Sequence, residues 1–240
     1  MLITSLDNKN IKNVKKLRDK KYRDLENKFV VDIINVIKEA KKENLLQELY
    51  VKEGTNIDID FDYTSVSEDV FNKIKEVSTT NVIGVINKPK EGVLKGSKYI
   101  LLDGISDPGN LGTIIRSALA FNIDTLVLGD NTVDLYNDKV IRATEGAILR
   151  LNIVKMNLIE CIQRLKEKNI KVSGTDVVNG KDIKTIKNDN IAIVMGNEGN
   201  GLSKEIKDLN LDNIYIKTNN VESLNVGVAT SIIMYELNNK

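Results

Sequence analysis

The sequence predicts two α/β units, a small one followed by a larger parallel sheet with helices on both faces. Two observations carry this. From residue 99 onward, short apolar runs alternate with stretches of helical periodicity, as in a parallel sheet buried on both sides. Between them, Lys88-Pro89-Lys90-Glu91-Gly92 and Lys95-Gly96-Ser97 hold one of only two prolines and two glycines, the strongest linker in the chain. The expected domains are therefore 1–92 and 97–240.

Taken in order, residues 11–28 are predicted to form one basic helix with Ile11, Val14, Leu17 and Tyr22 on one face. A strand at 29–31 leads to a helix carrying Ile33, Val36, Ile37 and Ala40, then to a strand at 49–51. Ile57-Asp58-Ile59-Asp60-Phe61 alternates like a half-exposed strand, and Ser67 is placed to cap a helix through Val70, Phe71, Ile74 and Val77. Val82-Ile83-Gly84-Val85-Ile86 closes the first unit as a buried strand. Beyond the linker, strands are expected at 99–102, 125–128, 151–154, 171–173, 191–195 and 213–216. Helices are expected at 111–121, 138–149, 157–168 and 203–207. A last helix begins near Val226, with Ser223 as its N-cap; apolar residues on several of its sides predict that it is buried.

Composition narrows the chemistry. The 240 residues contain no histidine, which excludes a Ser-His-Asp or Cys-His centre and a His-ligated zinc. The single cysteine, Cys161, lies in a helical pattern and reads as core filling. No apolar run approaches the roughly 20 residues of a membrane span, and the first residues lack the apolar middle of a signal peptide. A cytoplasmic protein, with neither membrane nor metal, is the expectation. Net charge is +1, yet residues 1–28 hold nine Lys and Arg against four acids. Such an arm suits phosphate contact, as it also suits a solvated helix face.

In parallel sheets ligands sit at the carboxyl ends of strands, so the loops leaving the strands hold the candidates. After 99–102 comes Asp107-Pro108-Gly109-Asn110-Leu111-Gly112, a turn in which Asn110 can cap the next helix, with Arg116 about two turns on in a small, apolar setting. An arginine there calls for an anionic partner, such as Glu198, or a ligand. After 191–195 comes Gly196-Asn197-Glu198-Gly199-Asn200-Gly201-Leu202-Ser203, whose glycines allow close backbone approach and whose Ser203 can cap a helix. It is neither a dinucleotide fingerprint nor a P-loop, which disfavours a nucleotide-dependent oxidoreductase. The third loop runs from Ile216 and Thr218 to Glu222-Ser223-Leu224-Asn225-Val226.

Taken together and in this order, Asp-Pro-x-Asn-x-Gly with a following Arg, Gly-x-Glu-x-x-Gly-Leu-Ser and Glu-Ser-Leu-Asn-Val resemble the three-part signature of the SpoU/TrmH group of SPOUT RNA methyltransferases. The resemblance covers roughly residues 99–237. Arg142-Ala143-Thr144-Glu145-Gly146-Ala147 is similar to a further family segment, with Thr144 for Ser. Ile3-Thr4-Ser5, Lys20-Lys21-Tyr22-Arg23 and Phe29-Val30-Val31 resemble the opening of the substrate-binding domain often fused ahead of it, although Asp32-Ile33 stands where Glu-Gly is usual.

The resemblance implies a homodimer formed through a C-terminal domain with a deep trefoil knot. It also implies S-adenosylmethionine as cofactor and transfer of its methyl group to a ribose 2′-oxygen of RNA. Gly196, Asn197, Glu198, Gly201, Leu202, Ile216, Thr218, Ser223, Leu224 and Asn225 match the cofactor-binding positions. Arg116, Asn110, Ser223, Asn225 and Glu198 match the catalytic ones. The family assigns the base role to the arginine; because a guanidinium stays protonated, Arg116 can equally stabilise a developing alkoxide. A separate substrate domain favours large-subunit ribosomal RNA. Transfer RNA, or RNA binding without catalysis, are the alternatives.

Overall fold

The computed structural model describes residues 2–176, 180–186 and 189–239, so the expected domain ends at Met1 and Lys240 lie outside the described residues. Its contacts divide the chain into two compact units. One comprises Met1–Lys90 with Tyr136–Arg150, the other Glu91–Leu135 with Leu151–Lys240.

The first unit begins with β1 (Leu2–Ile3), α1 (Lys9–Lys16) and α2 (Lys20–Glu26). The single helix expected at 11–28 is thus two. Asp19 accepts a hydrogen bond from the backbone N–H of Lys21 and restarts the helix as an N-cap. Asn27, in the left-handed conformation at φ 53°, stops it. There follow β2 (Lys28–Val31), α3 (Ile34–Lys42), β3 (Leu46–Lys52), β4 (Thr64–Val66), α4 (Glu68–Asn72) and β5 (Val82–Asn87). Residues 57–61 are not a strand. Asp58 and Asp60 face Lys38 and Lys41 of α3 at 3.5 and 3.3 Å, so their alternation reflects pairing with a helix. β4 instead enters the sheet, parallel to β1 and β3. The sheet order is β1-β4-β3-β5-β2. Helix α4 stops short of Val77, and Ser67, at its N-cap position, makes no capping bond. Asp32 draws the following chain inward by accepting from the backbone N–H groups of Glu76 and Val77 while pairing with Arg18. Ile11, Val14, Leu17, Tyr50, Phe71 and Ile83 form part of the core.

The second unit contains β6 (Lys98–Leu102), α5 (Pro108–Ala120) and β7 (Thr125–Leu128). The chain then contributes α6 (Asp138–Thr144) and a 3-10 turn to the first unit, where the boundary read near residue 92 had assigned nothing so far downstream. The reason is local packing: Tyr136 meets Phe29 with ring centroids 5.0 Å apart, Asp138 lies 3.5 Å from Arg18, and Arg150 pairs with Glu39. Back in the second unit come β8 (Ile153–Lys155), α7 (Leu158–Glu167), β9 (Lys171–Thr175), β10 (Lys181–Asp182), β11 (Ile191–Met195), α8 (Lys204–Lys207), β12 (Asp212–Tyr215) and α9 (Val226–Asn238). The sheet order is β10-β12-β9-β11-β6-β7-β8, with every pairing parallel. The two-residue β10 is too short to leave a periodic signal.

Tyr99, Leu101, Val127, Ala192 and Val194 pack one face of this sheet against Cys161 and Leu165 of α7. Burial pushes the Cys161 thiol up to about 11, so it fills space and does not titrate near neutrality. α5 and α9 pack together, with Ser117 and Ser231 hydroxyls 2.8 Å apart. α9 is not buried all round: Val228 and Tyr235 are 48% and 53% exposed. Among the described residues no helix is long and apolar enough to cross a membrane.

Candidate functional site

The carboxyl ends of β6, β11 and β12 put three loops side by side, because β11 pairs with β6 and β12 lies beyond β9 in the same parallel sheet. Residues of the β11 and β12 loops, with the end of β9 and the first turns of α9, line a cleft of about 690 Å³. The loop after β11 is closed by a bridge between Asn197 and Gly201. Gly196 permits it. A Cβ there would lie 2.3 Å from the carbonyl carbon of Gly201 and 2.4 Å from the nitrogen of Leu202, both rigid backbone.

Glu198 ties this loop to the one after β6. Its carboxylate accepts from the N–H and hydroxyl of Ser106 at 3.3 and 3.0 Å, the N–H of Asp107 at 3.2 Å, the Asn110 amide at 3.0 Å and the Asn197 amide at 3.2 Å. Burial pushes the Glu198 carboxyl up. The hydrogen bonds, led by that from Asn110, outweigh it and hold the group below the usual glutamate value. The Asn110 carbonyl accepts from the Asn225 amide at 2.9 Å, and the Asn225 carbonyl accepts from the N–H of Val228 at 3.2 Å. One polar chain, Glu198–Asn110–Asn225, therefore joins all three loops.

Two capping assignments change. Asp107 caps α5, accepting from the Asn110 N–H at 2.8 Å with Pro108 in the first turn; this frees the Asn110 side chain for the network. Asn225, not Ser223, caps α9. Ser223 lies before the helix, lining the cleft. Ser203 holds the N-cap position of α8 without a side-chain cap; its N–H donates to Asp103.

Gly196, Asn197, Glu198, Gly201, Leu202, Ile216, Thr218, Ser223, Leu224 and Asn225 all line the cleft. Asn110 reaches it through Glu198 and Asn225. Arg116 does not line it. Contrary to the apolar setting expected, it lies on the exposed face of α5, with no hydrogen bond or ion pair among the described residues, Glu198 included. Thr175 and Asp176 at the end of β9, with Ile214, Ala229 and Ile233, also line the cleft and were not anticipated. The strand-end rule would have found Thr175 and Asp176 had β9 been read two residues longer.

The cleft fits S-adenosylmethionine in kind. Ile214, Ile216, Leu202, Leu224 and Ile233 give apolar walls for a purine. Asp176, Glu198 and Glu222 supply negative charge for a sulfonium and an ammonium, and the glycines keep main-chain groups accessible. Among the described residues no cluster of three or more Cys, Asp or Glu is placed to hold a metal ion.

Residues 97–235 match the profile of the SpoU rRNA Methylase family, and residues 8–84 that of the MRM3-like substrate binding domain. The chain is 35% identical over 243 residues to the 23S rRNA (guanosine(2553)-2′-O)-methyltransferase RlmP of Bacillus subtilis, covering 98% of each protein. The chain belongs to the SpoU rRNA methylase family. Among solved structures, the AdoMet-bound rRNA methyltransferase of Sinorhizobium meliloti superposes with a TM-score of 0.83 at 26% identity, over 99% of this chain and 97% of that one. The SpoU methyltransferase AviRb of Streptomyces viridochromogenes shares the fold, with a TM-score of 0.83 at 20% identity and 97% coverage of both. Both units of this SpoU protein thus have counterparts in one full-length relative.

Proposed function

We propose that this protein methylates a ribose 2′-hydroxyl of 23S ribosomal RNA, using S-adenosylmethionine bound in the cleft formed around β11, β12 and α9. The observation carrying this reading is the Glu198–Asn110–Asn225 chain, which organises three family loops around a cleft of fitting size and chemistry. The full-length likeness to a 23S rRNA 2′-O-methyltransferase supports the substrate. A cytoplasmic location follows from that substrate.

Gly196, Asn197, Glu198, Gly201 and Leu202 would hold the cofactor from one side, and Ile216, Thr218, Ser223, Leu224 and Asn225 from the other. The cofactor supplies an electrophilic methyl on a positively charged sulfur. Glu198 acts as an organising acceptor. With five donors around it and a lowered pKa, it is a weak base. Arg116 is assigned the cation beside the attacking oxygen, stabilising alkoxide character while the hydroxyl proton passes to water as the carbon–oxygen bond forms and the sulfur keeps the electron pair of its broken methyl bond. Its exposed, unpaired state among the described residues leaves its charge available.

We also infer a homodimer formed through α5 and α9. Val228 and Tyr235 are exposed on a largely apolar helix, and Tyr235 packs edge-on against Phe121 just after α5, forming an apolar face suited to a second copy. Dimerisation would also give Arg116, which is off its own cleft, a site to serve across the interface. The knot of the family is part of the same reading; the placement of late β12 beyond β9 agrees with it.

The test is transfer of labelled methyl from S-adenosylmethionine to unmodified 23S rRNA and, separately, to tRNA. Label on 23S rRNA at one alkali-resistant dinucleotide is expected. Label on tRNA alone would overturn the substrate, and absence of both transfer and cofactor binding would overturn the activity.

A further inference from the structure

Resting on the RNA substrate proposed above, the geometry points to Tyr22 as a stacking platform for an unpaired RNA base, with Lys16 and Lys21 holding the flanking phosphates. Tyr22 lies in α2 and is half-buried, so part of the side chain stays accessible to solvent. The ammonium groups of Lys16 and Lys21 lie 5.6 and 5.9 Å from its ring centroid. Both lysines are exposed, and neither has an acidic partner among the described residues, whereas nearby Lys12 and Lys20 are paired with Asp7 and Asp24. Lys9 and Lys15 extend the unpaired positive surface along α1. One turn beyond Tyr22, Leu25 is 76% exposed, a large apolar side chain on the face of a helix otherwise rich in charge.

In water, a part-exposed ring beside two unpaired lysines and an exposed leucine one turn on are left available to a partner. An RNA single strand presents the complement: flat apolar bases alternating with phosphates. An exposed cation–π contact is worth only about 0.5–1 kcal/mol. An ammonium can therefore leave the ring to a base and take up the adjacent phosphate, exchanging a weak partner for a full charge. Stacking on an aromatic side chain is indifferent to base identity, so this platform contributes affinity and register while specificity lies elsewhere.

The experiment uses the full chain and a short single-stranded oligoribonucleotide carrying 2-aminopurine, whose fluorescence falls when it stacks, alongside methyl transfer to 23S rRNA. Tyr22→Ala should weaken oligonucleotide binding roughly 5- to 150-fold and remove the quenching, with the salt dependence unchanged. In transfer assays it should raise KM for RNA and leave kcat near wild type. Tyr22→Phe keeps the ring and should behave as wild type, separating stacking from any loss of fold. Lys16→Gln with Lys21→Gln should flatten the salt dependence by roughly 0.7 log units per log unit of salt for each lysine. Binding by Tyr22→Ala within about twofold of wild type, with quenching retained, would overturn the platform. So would equal losses in the Phe and Ala variants. If wild type transfers methyl to RNA while Tyr22→Ala is indistinguishable from it, only this inference falls; if wild type transfers none, the substrate reading falls and takes the platform with it.

Discussion

Replacing Glu198 by glutamine tests the organising role assigned to that carboxylate. One carboxylate oxygen meets Asp107 N–H and the Asn110 amide; the other meets Ser106 N–H, the Ser106 hydroxyl and the Asn197 amide. Glutamine keeps the shape but has one acceptor oxygen, so its NH₂ must face one of these two groups of donors. Turned towards Asn110 it meets a partner that cannot flip, because the Asn110 carbonyl is held by Asn225. Turned towards Ser106 it can donate to the hydroxyl and forfeits the bonds from Ser106 N–H and Asn197, both longer than 3.1 Å. That second orientation is the cheaper. Two lost bonds at a net 0.5–1.5 kcal/mol each, taken at the lower end because the residue is exposed, give about 1–2 kcal/mol. For a protein of this size that is about 2–8 °C in Tm.

The pH dependence supplies the sign. The folded Glu198 pKa is lowered, so its contribution is fully present above the ordinary glutamate range and is lost as pH falls through the folded value. The Tm gap between wild type and Glu198→Gln should be full near pH 7, begin to shrink as pH falls into the ordinary glutamate range of about 4.3, and close once pH has passed the lower folded value. Calorimetric melts of both proteins across that range measure it. A gap of constant size from neutral to acid pH, or no gap at pH 7, would refute the argument.

Gly196→Ala should abolish cofactor binding by isothermal calorimetry, since its Cβ would meet Gly201 and Leu202 backbone at 2.3 and 2.4 Å; Gly199→Ala, whose nearest neighbour is 3.6 Å away, should bind as wild type. Asn225→Ala removes the cap of α9 and the link to Asn110 together, and should cost about 1–3 kcal/mol in urea melts while weakening cofactor affinity. Arg116→Ala should abolish methyl transfer with cofactor affinity and Tm nearly unchanged, since the exposed side chain holds nothing among the described residues. Tyr235→Glu should convert the proposed dimer to monomer in sedimentation, because the residue is half exposed on the apolar face of α9.

The parallel sheet was legible because β6, β7, β9 and β11 are short apolar runs separated by helical periodicity. The cleft was legible because its loops leave those strands. What escaped was decided by single side-chain hydrogen bonds. Asn110, Ser223 and Asn225 all carry capping chemistry, and a sequence does not say which will cap: Asp107 and Asn225 do, which turns Asn110 from a cap into the middle of a network. Asp19 and Asn27 break a helix that apolar periodicity alone would continue. Asp58 and Asp60 mimic a strand's alternation because both face lysines of α3. The exposure of Arg116 follows from its angular position on α5, between buried Ile115 and Ala118, which a list of small apolar neighbours conceals.

The loan of Tyr136–Arg150 to the first unit has an evolutionary consequence. Two domains joined by a single linker can be traded like beads, each recombining with a new neighbour. Here the stretch matched to the methylase family includes residues that complete the other unit: Tyr136 against Phe29, Asp138 near Arg18, and Arg150 on Glu39. A crossover near residue 92 would strip one unit of a wall and leave Tyr136, Val140 and Ile141 without the surface they evolved to cover. An exchange of the first unit must therefore carry residues 136–150 with it or repack the surface they cover.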